Sequence, residues 1–179
     1  LYRVCEIIYS NNIELKHHPD YIDLSADFLF YCQYQFIKKI FYKSDIRLTY
    51  GTVEFGQIAQ QLPNNLYKYE VYSDIAYVEN KDNEIVVTSL INKVLPIIRY
   101  NTKDKGIVQT ENNKQYIINL VGKQTHKYDY IKINNIIDKI NIKNLCIINC
   151  KIIHKQKIVY LVIIDSNFKL DLIKQLFPN

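Results

Sequence analysis

Methionine and tryptophan are absent from the 179 residues, and glycine occurs only four times, where a chain of this length ordinarily carries about 12. The missing Met, with Leu1 first, predicts a fragment, a processed chain or a trimmed one. Cysteine is equally scarce, at positions 5, 32, 146 and 150. Their spacing excludes a zinc knuckle and predicts free thiols in a reducing, cytoplasmic setting. No apolar run approaches the roughly 20 residues that span a bilayer. Charge at Arg3 and Glu6 breaks any secretory pattern at the start. The net charge of +5 favours anionic partners such as nucleotides but is too weak to imply nucleic acid.

Asn, Ile, Lys and Tyr fill the space that glycine vacates. With 48% hydrophobic and 23% charged residues, the composition is that of an ordinary globular chain. The surviving glycines, Gly51, Gly56, Gly106 and Gly122, cluster in the middle of the sequence. They are expected where the backbone tolerates nothing else.

The first third reads as helical. Val4, Ile7 and Ile8 recur at helical spacing, and Ser25 could cap a second helix running through Phe28, Cys32, Phe36 and Phe41. A strand over Asp45–Tyr50 runs into Gly51, a turn at a strand's C-terminal end, where α/β sheets bind ligands. Further strands are expected over Leu66–Val71, Asp74–Glu79, Ile85–Leu90, Ile97–Tyr100, Gly106–Gln109 and Tyr116–Val121. The Asn/Asp clusters at Asn80–Asn83 and Glu111–Asn113 supply turns. Beyond the polar stretch Lys123–Asp129 the pattern is strand, helix, two strands, helix: Tyr130–Ile133, Asn135–Ile140, Leu145–His154, Ile158–Ile164 and Phe168–Leu176. The fold class is therefore α/β, with residues 1–122 as one domain and 123–179 as a small second one after a hinge.

Taken singly, the polar residues have bland readings. A Tyr-Gly pair at a strand end is usually a turn, and Asp-Lys-Gly at Asp104 is a common turn signal. Arg99 reads as an ion pair with the sheet rim, and His17-His18 as an exposed loop beside Pro19. Cys146 and Cys150, four apart on a strand, share a face and read as core.

Three segments taken together point further: Tyr50-Gly-Thr-Val-Glu-Phe-Gly56, Leu95-Pro-Ile-Ile-Arg-Tyr-Asn-Thr-Lys-Asp104, and Gly122-Lys123 before Asp129-Tyr-Ile-Lys132. With the strand Glu84–Leu90 between them, their order and spacing resemble the adenylate-forming ligase superfamily, in particular its phenylacetate–CoA ligase-like branch with capsule-biosynthesis relatives. The resemblance covers roughly Ser25 to Ile137. It implies the C-terminal portion of the large nucleotide-binding domain followed by the small domain. It also implies an acyl-AMP-forming activity: a carboxylate attacks the α-phosphate of Mg-ATP, pyrophosphate leaves, and a thiol such as coenzyme A takes the acyl group. Under the resemblance Tyr50 lies against adenine, Gly51 lets the backbone approach the nucleotide, Glu54 binds Mg²⁺ and Asp104 accepts from the ribose hydroxyls. Thr52 and Lys123 belong to the same nucleotide site.

The chain departs from the pattern in several places. Val53 stands where the family has a hydroxyl residue, Lys103 where it has glycine, and Lys123 where it has arginine. Lysine keeps the charge but loses the planar fork. Thr52 can replace the lost hydroxyl only if the turn differs. The phosphate-binding loop expected before Tyr50 has no match, and Lys169 and Lys174 sit in no recognisable motif. The missing N-terminal half would be needed, and the chain alone is expected not to catalyse adenylation. A non-catalytic interaction or scaffold protein derived from the same fold is the alternative.

Overall fold

The structure is a computed structural model that describes residues 1–25, 29–63, 65–123, 135, 147–153 and 158–163. The chain divides into two compact units. One comprises Leu1–His18, Leu29–Tyr42 and Tyr128–Asn179, the other Pro19–Phe28 and Lys43–Lys127.

In the first unit, α1 spans Tyr2–Ser10 and α2 spans Tyr31–Ile40. The expected apolar face of α1 is not the one that packs. Val4 and Ile7 are about half exposed, whereas Cys5 is fully buried. Tyr2 and Tyr9 lie against Phe36 of α2, with ring centroids 5.7 and 5.5 Å apart. Residues 2, 5 and 9 repeat at helical spacing as well as 4, 7 and 8 do, and the tyrosines bring more apolar area. Ser25 does not cap α2. The helix starts after Phe30, whose backbone N–H donates to Gln33 Oε1 at 3.0 Å. Cys32, Phe36 and Ile37 carry its buried face. His17 and His18 lie in a loop, as expected, with His17 exposed and the half-buried His18 ring edge-on to Tyr42 at 4.7 Å.

The second unit is one sheet of eight strands. Its strands are β1 Tyr21–Leu24, β2 Asp45–Thr52, β3 Gly56–Leu62, β4 Asn65–Val71, β5 Ala76–Lys81, β6 Glu84–Ser89, β7 Tyr100–Glu111 and β8 Lys114–Lys123. They lie in the order β1-β2-β3-β4-β8-β7-β6-β5. β1 and β2 are parallel and the other pairs antiparallel, so the sheet is mixed, as an α/β chain allows. Ile58, Tyr69, Val78, Ile85, Val87 and Ile117 are among its buried side chains. Gly106 lies in this core: a Cβ there would come within 3.1 Å of Ile85 and 3.2 Å of Ile117.

The sheet does not lie flat. β2 and β7 have three strands between them in the pairing order, which at about 4.8 Å per strand separates them by roughly 19 Å in a flat sheet. Yet the Tyr50 phenol of β2 reaches Asp104 of β7. At the other end β5 is tied back to β8. The Gln115 side-chain amide accepts from Val78 N at 3.1 Å and donates to Val78 O at 2.8 Å. One amide thus satisfies both main-chain groups of an edge residue that would otherwise seek another strand.

β9 Ile147–Ile153 and β10 Ile158–Ile163 form an antiparallel pair, matching two of the expected late strands. The expected hinge over 124–129 and the elements Tyr130–Ile133, Asn135–Ile140 and Phe168–Leu176 lie outside the described residues, Asn135 excepted. So do Cys146, Lys169 and Lys174. No helix among the described residues is long and apolar enough to cross a membrane.

Candidate functional site

Parts of the three motif segments, around Tyr50–Glu54, Tyr100–Asp104 and Gly122-Lys123, come together in the sheet. In extended backbone, alternate side chains share a side. Tyr50 and Thr52 of β2, with Glu54 in the turn after it, form one row, and Tyr100, Thr102 and Asp104 at the start of β7 form another, placed by the side-chain contacts between them. The rows face each other in opposite senses. Tyr50 meets the far end of the β7 row and Glu54 meets the near end.

The deep end is buried and hydrogen-bonded. The Tyr50 phenol donates to Asp104 Oδ2 at 2.7 Å, 54 residues away in sequence, and the phenol oxygen lies 3.3 Å from Thr102 Oγ1. Thr102 Oγ1 donates to Ile85 O at 2.9 Å and accepts from Asp104 N at 3.2 Å. Tyr50 is 8% exposed and Asp104 is 7% exposed. Burial, with the nearby carboxylates, holds the Tyr50 phenol far above its ordinary pKa, so it stays a donor. Asp104 Oδ1 faces Gly122, where a Cβ would lie 3.9 Å away. Gly122 has φ +68°, which glycine adopts without strain.

The shallow end is open to solvent. The Tyr100 phenol donates to Glu54 Oε1 at 3.0 Å, and the Phe55 ring lies 5.8 Å from the Tyr100 ring. The Glu54 carboxylate is held below its usual range by the Thr52 hydroxyl beside it, its own backbone N–H, the Tyr100 phenol and the charge of Lys123. Lys123 ends β8 opposite Asp104 in the β7–β8 register. Val53 is fully exposed at the tip of the β2–β3 turn. That turn depends on Gly51, where a Cβ would sit 2.2 Å from Gly56 O.

Around these rows the backbone is held by polar contacts. Lys103 has φ +67°, and its N–H donates to Asn101 Oδ1 at 2.8 Å. Asn101 Nδ2 donates to Glu84 at 2.6 Å, and Lys103 and Lys105 pair with the same carboxylate at 3.3 and 3.2 Å. The Asn101 and Lys105 hydrogen bonds draw the Glu84 pKa down to about 2. Arg99, at φ +51°, pairs with Glu79 of β5 at 3.2 Å, the rim ion pair expected of it.

All six expected site residues, Tyr50, Gly51, Thr52, Glu54, Asp104 and Lys123, thus fall at or beside one pair of rows. Reading residue types alone overlooked Tyr100, Thr102 and Phe55 as members of the site. The period of two along Tyr100-Asn-Thr-Lys-Asp104 is the signal that could have revealed the first two. No group of three His, Cys, Asp or Glu side chains among the described residues forms a ready-made metal site, so Glu54 offers a single carboxylate. Neither a protein-family model nor a curated protein matches the chain.

Proposed function

We propose that the chain carries the nucleotide-recognition part of an ATP-dependent carboxylic acid adenylating ligase. The supporting observation is convergence. Segments distant in sequence, chosen for their likeness to that superfamily, meet at Tyr50–Asp104 and Tyr100–Glu54, with Lys123 at the same edge. Two backbone details point the same way. The family's glycine positions at Lys103 and Gly122 both have φ near +70°, the region glycine occupies most freely.

In this reading Asp104 is aimed by Tyr50 and Thr102 so that Oδ1 accepts from a ribose diol, a task for an acceptor-only carboxylate. Glu54 is the residue that would offer an oxygen to Mg²⁺, a hard cation that takes oxygen ligands. Mg²⁺ bound there would neutralise phosphate charge. Lys123 adds a cation on the same side. These residues position and stabilise charge. The acid, the acceptor thiol such as coenzyme A, and the N-terminal half with its phosphate loop complete the reaction.

A second reading has its own observation. Tyr50 and Asp104 are buried and bonded to each other, which is also what a clip closing a curled sheet looks like. Val53 brings no hydroxyl to a phosphate. In that reading the chain is a non-catalytic interaction or scaffold protein. Thermal unfolding of the chain with AMP, with and without Mg²⁺, separates the two. A ligand at 100 times its Kd stabilises the folded state by about 2.7 kcal/mol, so a nucleotide site raises Tm by several degrees at millimolar AMP. An unchanged Tm across that range leaves the scaffold reading.

A further inference from the structure

Resting on the nucleotide reading, we infer that Tyr100 is a positioning residue: its phenol holds the Glu54 carboxylate ready for a divalent cation that accompanies the nucleotide phosphates. Glu54 lies in the turn after β2, on a long side chain that solvent would otherwise leave free to rotate. The Tyr100 phenol reaches it from β7, 46 residues away in sequence, and donates to Oε1 at 3.0 Å. The Thr52 hydroxyl lies beside the same carboxylate but meets no partner in hydrogen-bonding geometry among the described residues. The phenol is thus the side chain that fixes the carboxylate. An ionised carboxylate accepts several partners on its two oxygens, so this one bond leaves it able to take a cation.

The donor is itself held. The Tyr100 ring lies 5.8 Å from the Phe55 ring at 52°, and Phe55 N donates to Thr52 O at 3.3 Å across the turn that carries Glu54. Arg99, the residue before Tyr100, has φ +51°, and its N–H donates to Thr88 Oγ1 at 3.0 Å. Left-handed backbone at a residue with a side chain is strained, and such strain clusters at functional sites. The Arg99 side chain pairs with Glu79 at 3.2 Å, so its charge is engaged on β5 rather than at Glu54. Carboxylates that bind metals are themselves hydrogen-bonded by neighbours, and loss of such a neighbour weakens metal binding by about 10–100-fold. Tyr50 and Tyr100 then share one task at opposite ends of the site. Each phenol holds a carboxylate of the facing row, Tyr50 that of Asp104 and Tyr100 that of Glu54.

The test is calorimetric titration of the full chain with ATP, in excess MgCl₂ and again in EDTA, for the wild type, Tyr100→Phe, Glu54→Gln and the double variant. The wild type is expected to bind more tightly with Mg²⁺. Tyr100→Phe keeps the ring but loses the donor. Its affinity in Mg²⁺ should fall by about ten-fold, while its affinity in EDTA stays that of the wild type. A general structural defect would weaken both. Because Tyr100 acts through Glu54, the double variant should bind no more weakly in Mg²⁺ than Glu54→Gln alone, a non-additive result. An undiminished Mg²⁺ gain in Tyr100→Phe, equal losses in the two buffers, or additive losses in the double variant overturns the role of Tyr100 and leaves the nucleotide reading standing. Equal binding by the wild type in both buffers removes the cation at Glu54, and the role of Tyr100 with it. Absence of saturable ATP binding by the wild type in either buffer overturns the nucleotide reading as well.

Discussion

Tyr50 and Lys103 show how single residues reveal what their surroundings demand. Tyr50 is buried as a neutral donor to a carboxylate. Its pKa in the folded state lies above the ordinary 10.0, so the unfolded chain ionises first as pH rises. Its contribution to stability is complete below pH 10 and is lost above it. Tyr69, raised by burial to about 12, adds to the same trend. Tyr50→Phe is expected to cost about 1.5–3 kcal/mol at neutral pH, the range for a hydrogen bond to a charged group. It should also flatten the fall of stability between pH 10 and 12; urea unfolding across that window measures both. Lys103 has a left-handed backbone at φ +67°, which costs a side-chain-bearing residue about 1 kcal/mol or more. Its surface ion pair with Glu84 returns only a few tenths of that. Lys103→Gly is therefore expected to stabilise the chain by about 1 kcal/mol in chemical denaturation. A destabilised variant would mean that the Asn101–Glu84–Lys103 contacts outweigh the strain.

Elements were legible where local chemistry decided them. The hairpins β5–β6 and β7–β8 turn on Asp82-Asn83 and Asn112-Asn113, all four at positive φ between +49° and +62°. Two consecutive left-handed residues match the right-handed twist of the strands, and in a glycine-poor chain Asn and Asp fill the role. Replacing Asn112 and Asn113 with alanine should cost about 1 kcal/mol per position, read as a lower urea midpoint with an unchanged slope. Elements were illegible where tertiary contacts decided them. β3 reads Gly-Gln-Ile-Ala-Gln-Gln-Leu and hides its inward residue, because Gln61 is buried and accepts from Leu48 N at 3.1 Å. β1 has four residues and gains its place by pairing with β2 and through the Thr49–Asp23 hydrogen bond at 2.5 Å. Two expected strands, Ile97–Tyr100 and Gly106–Gln109, prove to be a loop and part of the twelve-residue β7. The charged run Asn-Thr-Lys-Asp-Lys masked their continuity, although Thr102 and Asp104 point inward.

At the scale of the molecule, the mixed sheet and the order of its strands bring the motif residues together. Their identities could be read from the sequence, but their proximity could not. Tyr50 and Asp104 are 54 residues apart, and only the curl that lifts β2 over β7 joins them. The division of labour between a buried end and an open end was also hidden, since Tyr50 and Tyr100 are the same residue type and differ only in depth. The central claim is that this juxtaposition is a nucleotide site aimed through Asp104. Calorimetric titration of AMP into the wild-type chain and into Asp104→Asn tests it most directly, with circular dichroism confirming that both remain folded. The expected result is saturable one-to-one binding by the wild type and a Kd at least about ten-fold weaker in Asp104→Asn, the loss of a charge-assisted acceptor. Equal binding by both proteins, or none by the wild type, would contradict it.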